Sequence, residues 1–373
     1  MLKKRILSIL GAAAVTAAAA FAVITFSPEG GFSSGTIQEG MTYDVCGVAP
    51  DALVASVDGN TASADLVLYW IGYNVSYLDS FMQYYAGTAL DWDYVLGNGM
   101  SVAEYVDEDV LASVKQHLVL ENMAEKYGAA LTDEQKAAME QSVQSDIEQL
   151  GGEEAYDAEL AKLGLRRETY ARAVRTNYLY QNLLTLYLTE GSPLYVSNKD
   201  LALYAAQNGY ITADHILLAT QDAATGEALS DEEIAAKKAL AEELAEKLSS
   251  YTGEDLSAYF ASLADEYSED PGRASNPAGY TFTTGSMVQE FENAAYALAE
   301  GEVSGIVESQ FGYHILLRLP LDESAAADSV REEYFSNLIT QEVEAAQIRT
   351  SSLYSALDAR ALYEAIQAAQ AAG

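Results

Sequence analysis

The spacing of apolar residues divides the chain into regions with different predicted secondary structure. Residues 62–190 carry apolar positions at helical spacing, most regularly in 166–189, and predict a largely helical region. Just before it, Leu53–Asn60 alternates between apolar and small polar residues and predicts a short strand that ends in an Asp-Gly-Asn turn. Residues 325–370 are rich in Ala, Glu and Gln and predict a return to helix.

Between these helical regions, the pattern is mixed. Residues 211–218 and 312–319 are strand-like stretches rich in apolar residues and predict two strands. The residues between them predict helices at 231–250, 254–267 and 287–299, with loop and a short strand at 268–286. The result is a compact α+β unit of about 110 residues, which is inserted into or appended beside a helical domain.

Two helix starts can be located from their caps. Thr132-Asp-Glu-Gln135 and Ser230-Asp-Glu-Glu233 have the spacing of a capping box, in which the two end side chains satisfy free amides of the first turn. One helix end can also be located: Gly191-Ser192-Pro193 stops the helix predicted over residues 166–189.

The charge of the chain excludes several functions. Among 373 residues, 56 acidic and 20 basic residues give a formal net charge of −36, which is incompatible with binding along a nucleic-acid backbone or to anionic lipids through a basic surface. The single cysteine, Cys46, forms no intrachain disulfide, and we interpret it as a packed or exposed thiol. Only three histidines are present, and the common nucleotide and zinc-protease motifs are absent, so we predict no metal and no cofactor.

The N-terminus predicts export. Lys3, Lys4 and Arg5 precede the uncharged run Ile6–Phe26, which as a helix would be about 31 Å long and match the hydrocarbon thickness of a bilayer. The preceding positive charges favour a cytoplasmic N-terminus with the rest of the chain outside. Two interpretations remain open: a cleaved signal peptide, or an uncleaved anchor through which residues 6–26 contact the membrane.

Two of the three histidines lie in the two best predicted strands. By the period of two, His215 shares a face with Ala213 and Leu217, and His314 shares one with Gly312 and Leu316. Two unrelated core histidines would give the same pattern. The third, His117, lies in a helical stretch and is interpreted as structural.

The surrounding motifs favour a functional role. Residues 211–319 resemble the parvulin-type peptidyl-prolyl isomerases. The resemblance rests on six ordered motifs: Asp214–Leu218, Leu263–Asp270, Tyr280–Met287, Glu290–Tyr296, Gly301–Ser304 and Phe311–Leu317. More loosely, the rest of the chain is similar to exported foldases of the PrsA/SurA type, in which a Val-x-x-Val-Asp-Gly strand opens a helical chaperone domain.

The resemblance implies a set of site residues. His215, His314 and Asp270 match the polar catalytic positions. The remaining matches are to substrate-binding positions around the proline ring: Phe282, Met287, Phe291, Phe311 and Ser309. Turn initiation would also explain Asp270, which precedes Pro271 and Gly272, and core packing would also explain Met287 and Phe291.

One motif departs from the family. The usual Gly-Gly-x turn before the aromatic strand reads Pro277-Ala-Gly-Tyr280 here, and Ala278 does not readily adopt a positive φ. No Lys or Arg occurs between His215 and Lys237, so a phosphate-reading site is not expected.

These observations together predict the domain organisation. The fold class is α+β, with a parvulin-like domain combined with an all-α chaperone-like domain built from N- and C-terminal helices. The predicted boundaries are a signal peptide or anchor at 1–27, a linker at 28–48, an N-terminal helical domain at 49–200, the isomerase domain at 211–320, and C-terminal helices at 325–370 that pack on the N-terminal ones.

The predicted function is an exported peptidyl-prolyl cis-trans isomerase. It would act on unphosphorylated X-Pro bonds of unfolded or partly folded secreted or cell-surface proteins, without a covalent intermediate, either secreted or at the outer face of the cytoplasmic membrane. The alternative is a holdase with weak or no catalysis, which the altered Pro277-Ala278 turn favours. The sequence leaves open whether the chain forms a homodimer.

Overall fold

The computed structural model describes residues 24–25, 31–223 and 225–372. The chain divides into two compact units. The first, here called the helical unit, is Met1–Tyr195 with Phe335–Gly373, and the second, the central unit, is Val196–Tyr334.

Helices predominate in the described residues, with eight short strands. The helices are α1 (Met41–Cys46), α2 (Ala64–Ala86), α3 (Val102–Tyr127), α4 (Asp133–Leu150), α5 (Glu153–Lys162), α6 (Arg167–Leu188), α7 (Asn198–Gln207), α8 (Asp231–Ser249), α9 (Leu256–Tyr267), α10 (Gln289–Ala297), α11 (Glu323–Ala345) and α12 (Ala359–Ala371). The strands are β1 (Ile24–Thr25), β2 (Leu53–Val57), β3 (Asn60–Ser63), β4 (Ile211–Ala219), β5 (Tyr280–Phe282), β6 (Val307–Ser309), β7 (Gly312–Leu319) and β8 (Ile348–Thr350). They form two sheets, ordered β1-β8-β2-β3 and β5-β4-β7-β6.

The predicted α+β class is confirmed, and the helical unit contains a small sheet that the prediction of an all-α domain did not include. The strand predicted at 53–60 is the first arm of a hairpin. Its turn has Asp58 at φ 50 and Gly59 at φ 88, the two positive φ values that a tight hairpin turn requires. The second arm, β3, leads directly into α2.

The prediction of continuous helix over 325–370 is wrong in the middle of that range. Helix α11 ends at Ala345, and β8 then pairs antiparallel with β2, with Arg349 opposite Ser56. Ile348 and Thr350 are buried while Arg349 is exposed. The alternation of buried and exposed residues in Ile-Arg-Thr suits a strand at the edge of a sheet. The hydrogen bonds that β2 offers to this segment outweigh the helical preference of the residues around it.

The predicted linker at 28–48 is ordered where the structure describes it. Residues 41–46 form α1, which ends at Gly47 in the left-handed conformation, φ 71. The Asp51 carboxylate accepts hydrogen bonds from the amides of Thr36 and Ile37 at 2.9 and 3.0 Å. These local bonds hold the Gly-rich segment against the start of β2. Cys46 is partly buried in α1, and burial raises the pKa of its thiol.

The predicted leader lies almost entirely outside the described residues, apart from Ile24–Thr25. No helix in the described part of the chain is long and apolar enough to cross a membrane. The two predicted capping boxes are confirmed at the starts of α4 and α8, where Thr132 and Ser230 accept hydrogen bonds from the third residue of each helix.

The sheet of the central unit separates two apolar clusters. One face packs on α8 and α9 through the residues Ile216, Leu218, Leu244, Phe260, Ile315 and Leu317. The other face carries Ala213, Phe282 and Leu316 and packs on Phe291 of α10. The alternation of side chains along β4 and β7 assigns each residue to one of these faces.

Candidate active site

His215 and His314 lie diagonally on one face of two neighbouring strands. In the antiparallel β4–β7 ladder, His215 is opposite Leu316 and Leu217 is opposite His314. The two imidazole rings are edge to face, with centroids 5.4 Å apart. Both side chains are buried. The parity of the two strands therefore brings both rings to the face that packs on α10.

Phe291 joins the two histidines to an apolar wall. Its ring centroid lies 5.1 Å from that of His215 and 5.7 Å from that of His314. Phe282 lies behind it at 5.7 Å, and Met287, which is half-buried, packs at the edge of the same cluster. Phe282 and Phe291 thus belong to the core, while Met287 is partly open to solvent.

Asp270 is brought to the site by the segment 268–270, which runs along the edge of β4. The amide of Glu269 donates to the carbonyl of Leu217 at 2.8 Å, and the Ser268 hydroxyl accepts from the Leu217 amide at 3.1 Å. Strand β5 pairs only with the first three residues of β4, so this part of the edge is available. The 268–270 segment forms hydrogen bonds with the backbone of this part of β4, and Asp270 consequently lies beside His215.

The two carboxylate oxygens of Asp270 have different partners. Oδ1 accepts from the Gly272 amide at 3.1 Å, which is the turn-initiating contact. Oδ2 lies 3.7 Å from Nε2 of His215 and accepts a 2.5 Å hydrogen bond from the Tyr280 hydroxyl. Asp270 therefore initiates the turn and also faces the histidine.

Tyr280 was not among the predicted site residues. Its ring stacks on His215, with centroids 5.6 Å apart and planes 19° apart, while its hydroxyl reaches Asp270. The parity of β5 could have found it, because Tyr280 precedes the predicted Phe282 by two positions and shares its face.

Ser309 contacts His314 from the opposite side. The Ser309 hydroxyl and Nε2 of His314 are hydrogen-bonded at 2.7 Å, and the Phe311 amide donates to the same hydroxyl at 3.1 Å. The side chain of Phe311 is exposed and makes no ring contact with either histidine among the described residues. Ser309 is thus hydrogen-bonded to His314, Asp270 lies beside His215, and the two imidazoles between them meet edge to face.

Burial keeps both imidazoles neutral near pH 7. Burial lowers the pKa of His215, partly opposed by the Asp270 carboxylate. Burial and the neighbouring His215 lower the pKa of His314 to about 4. Burial and the Asp270 carboxylate raise the pKa of Tyr280 to about 12, which keeps its hydroxyl a donor. The Nδ1 atoms of both histidines are buried without a hydrogen-bond partner among the described residues.

The basic side chains near the site form ion pairs with carboxylates. Arg273 binds Asp214 at 2.7 Å and Asp265 at 2.8 Å, and Asp214 also accepts from the His215 amide at 2.8 Å. Lys237 is paired with Glu269. Each of these cations serves to hold the strands and the 268–270 segment in place. The described residues contain no group of three or more His, Cys, Asp or Glu arranged to hold a metal.

The unusual Pro277-Ala278 turn does not require a positive φ at Ala278. Among the described residues, Asp58 is the only non-glycine residue with a positive φ. In this turn the positive φ, +89°, falls on Gly279, where a Cβ would lie 2.8 Å from the Ala213 carbonyl oxygen. The glycine that this close approach demands is therefore present.

Comparison with known families identifies the central unit. Residues 215–319 match the rotamase family of PPIC-type PPIASE domains. The central unit contains a parvulin-type peptidyl-prolyl cis-trans isomerase domain. The match covers the histidine strands, the 268–270 segment and α10, so the expected resemblance is confirmed.

Individual relatives match stretches of different length. Foldase protein PrsA 1 of Bacillus cereus is 42% identical over 87 residues, 23% of this chain and 30% of the relative. Foldase protein PrsA of Staphylococcus aureus is 26% identical over 226 residues, 60% of this chain and 62% of the relative. The crystal structure of PrsA from Bacillus subtilis is 25% identical and covers 75% of this chain and 93% of that chain, with a TM-score of 0.25. The chain thus spans only about 30% of the length of the first curated relatives it matches.

Proposed function

We propose that this chain is an exported peptidyl-prolyl isomerase that assists the folding of secreted or cell-surface proteins. The observation that carries the proposal is the arrangement in the parvulin domain: two neutral, buried imidazoles share one face of the sheet, Asp270 lies beside His215, and Phe291 contacts both rings.

The chemistry of isomerisation needs only what this site offers. The barrier to rotation about a peptide C–N bond is about 18–20 kcal/mol and comes from amide resonance. It is lowered by binding the twisted amide more tightly than the planar one, without a nucleophile or covalent intermediate. An apolar surface that holds the proline ring, next to polar groups that face the carbonyl, meets this requirement.

We assign the roles as follows. Met287, with Phe291 and Phe282 behind it, holds the proline ring, and Phe311 contacts the substrate at the exposed rim. His215, His314 and Asp270 form the polar side, in which the carboxylate beside His215 tunes polarity near the carbonyl. Ser309 orients His314 through their 2.7 Å hydrogen bond.

The ion pairs favour unphosphorylated substrates. A phosphate group needs an unpaired cluster of cations beside the proline pocket. Arg273 and Lys237 instead bind Asp214, Asp265 and Glu269. A phosphorylated substrate would have to displace these carboxylates, so X-Pro bonds without a preceding phosphate are the expected substrates.

The location and clients are inferred from the leader and the relatives' names. The basic Lys3–Arg5 and the uncharged 6–26 support export, as a secreted or membrane-anchored protein at the outer face of the cytoplasmic membrane. The names of the relatives, foldase proteins, support unfolded or partly folded exported proteins as clients.

The deciding experiment is a protease-coupled isomerisation assay of the full chain on an unphosphorylated X-Pro peptide. A rate well above the uncatalysed reaction is expected. If no such rate is found while the chain still suppresses aggregation of an unfolded client, the holdase function replaces this proposal. The turn that favoured the holdase no longer supports it, since its positive φ lies at Gly279.

A further inference from the structure

The helical unit carries a concentrated patch of exposed aromatic side chains. Of the thirteen large apolar residues that are exposed in the described part of the chain, seven fall between positions 77 and 105. We call them the tyrosine surface: Tyr77, Phe81, Tyr84, Tyr85, Tyr94, Val95 and Tyr105. The other six include Phe311 of the proposed substrate rim, and the remaining five are spread over the rest of the described residues, as is ordinary for a protein surface.

The two most exposed members lie at the end of α2, and a further exposed tyrosine lies in the loop that follows it. Tyr84 and Tyr85 are 81% and 71% exposed, and Tyr94 is 58% exposed. Tyr85 contacts Phe81 and Tyr84, with ring centroids 4.5 and 4.8 Å away. The rings of Phe81, Tyr84 and Tyr85 therefore meet one another at the surface, and those of Tyr84 and Tyr85 leave most of their area to solvent.

The loop that presents Tyr94 is anchored in the helical unit. Its Trp92 is buried, with its ring centroid 6.3 Å from that of Tyr363 in α12. The Asp79 carboxylate accepts a hydrogen bond from the Leu90 amide at 2.9 Å. Trp92 is thus buried while Tyr94 of the same loop is exposed. The loop is folded against the helical unit, so the exposure of Tyr94 belongs to an ordered part of the structure.

The chain segment that carries the tyrosine surface has charges of a single sign. Residues 77–109 contain seven carboxylates, at positions 79, 91, 93, 104, 107, 108 and 109, and no Lys, Arg or His. Arg360 approaches from α12, 3.5 Å from Asp93, but it also pairs with Glu364 at 3.1 Å. An occupant of this surface therefore meets aromatic rings within a strongly negative field.

The negative charge of this segment limits which kinds of partner could bind to the tyrosine surface. A second copy of the chain would bring the same seven carboxylates against these, and anionic lipid head groups would be repelled as well. A polypeptide segment with Lys or Arg among apolar residues is complementary both to the aromatic rings and to the carboxylates. Tyrosine offers apolar area at low entropic cost and a ring face that attracts cations.

We propose that the tyrosine surface binds an extended, cationic segment of an unfolded polypeptide. The proposal rests on the proposed folding function only for the nature of the partner. The surface lies in the helical unit, whereas the histidines and Met287 belong to the central unit. It therefore adds a binding site for parts of a client that contain no proline.

The test measures binding of a proline-free peptide, which is not a substrate for isomerisation. A fluorescein-labelled, unstructured peptide of Lys, Leu, Gly and Ser is titrated with the full chain, and fluorescence anisotropy gives Kd. A second peptide has every Lys replaced by Glu. We expect the Lys peptide to bind at least about tenfold more tightly than the Glu peptide. We also expect its affinity to fall as salt screens the carboxylates.

A variant locates the site. Tyr84→Ser, Tyr85→Ser and Tyr94→Ser together should weaken binding of the Lys peptide by about tenfold or more. Since all three side chains are exposed, the fold should be kept. The matched control is Leu188→Ser with Leu203→Ser, two exposed apolar residues outside the surface, which should bind as the unmodified chain does.

Three outcomes overturn the proposal. The first is equal binding of the two peptides, a comparison that does not depend on any variant. The second is a folded triple variant with unchanged Kd. The third is an unmodified chain that sediments as a dimer while the triple variant is a monomer, which would assign the surface to a second copy. Absence of X-Pro isomerisation, with binding of the Lys peptide intact, would instead overturn only the proposed isomerase function.

Discussion

The hydroxyl of Tyr280 donates a 2.5 Å hydrogen bond to the same Asp270 oxygen that lies 3.7 Å from Nε2 of His215. The Tyr280 ring also stacks on His215. One side chain thus fixes both the carboxylate and the imidazole, so Tyr280 is a positioning residue for the proposed catalytic pair.

Tyr280→Phe should keep the stacking and lose the hydrogen bond. A hydrogen bond to a charged group contributes about 1.5–3 kcal/mol, so a comparable loss of stability is expected, measured by urea unfolding. Because Asp270 is freed, the pH profile of isomerisation should also shift. Tyr296→Phe is the control, because it removes a 2.7 Å hydrogen bond to the Gly209 carbonyl away from the histidines. Identical pH profiles for Tyr280→Phe and the unmodified chain would rule out the positioning role.

Acid should destabilise the parvulin domain through His314. Its folded pKa of about 4 lies below its ordinary value of 6.5, so the unfolded state binds the proton more readily. The stabilisation is therefore fully present above about pH 6.5 and is lost as the pH falls towards 4. The full shift corresponds to at most about 3 kcal/mol.

The measurement is denaturant unfolding at a series of pH values, with the non-titrating His314→Gln as the control. The unmodified chain should lose more stability than the variant between pH 6.5 and 4, while isomerisation declines over the same range as the imidazoles become protonated. Parallel stability curves for the two proteins would contradict the assignment.

Met287→Ala should lower activity more than stability. Met287 is half-buried at the edge of the cluster that contains the fully buried Phe291. Its truncation should reduce kcat/KM on an X-Pro peptide by about tenfold, because the proline ring loses apolar contact. Met139→Ala, which truncates a half-buried methionine of α4, is the matched control and should leave kcat/KM unchanged. Full turnover by Met287→Ala would place the pocket elsewhere.

Phe291→Ala would be a poor substitute for this experiment. Phe291 packs on His215, His314 and Phe282, and truncating a buried Phe costs about 3–5 kcal/mol. Loss of activity in that variant would not separate a binding role from unfolding.

Gly279 and Ala278 give a test of the turn. Gly279→Ala should destabilise the domain by more than about 1 kcal/mol, because it combines φ +89° with a Cβ 2.8 Å from the Ala213 oxygen. Ala278→Gly should change the free energy of unfolding much less, since Ala278 already has a negative φ. Thermal unfolding compares the two. Equal effects, or a neutral Gly279→Ala, would show that the strain is not at Gly279.

The proposed packing of the C-terminal helix on the N-terminal ones rests on α12. Ile366 packs on α2 where Gly72 leaves space, since a Cβ there would lie 3.3 Å from Ile366 Cδ1. Ile366→Ala should cost about 2–5 kcal/mol and speed hydrogen exchange in the middle of α2. Glu364→Gln, on the exposed face of α12, is the control. Unchanged exchange in α2 after Ile366→Ala would contradict this packing.

The sequence was sufficient for features that depend on local spacing. Side chains alternate along a strand, so the parity of β4 and β7, together with the positions that match the parvulin motifs, predicted that His215 and His314 share a face. The capping boxes at Thr132 and Ser230 were likewise readable, because the interacting groups are three residues apart. The six motifs predicted the parvulin domain for the same reason: each is a short local pattern.

Only the tertiary structure decided what depends on partners distant in the chain. Residues 346–358 have a helical composition around them, yet β8 forms because the edge of β2, almost 300 residues earlier, offers hydrogen bonds. Asp270 reaches His215 because the edge of β4 is free beyond β5 and holds 268–270. Tyr280 joins them by a hydrogen bond across ten residues of loop. Local periodicity depends only on residues close together in the sequence. The pairing of strand edges and of buried polar groups depends on residues far apart in the sequence, so it is fixed only when the whole chain has folded.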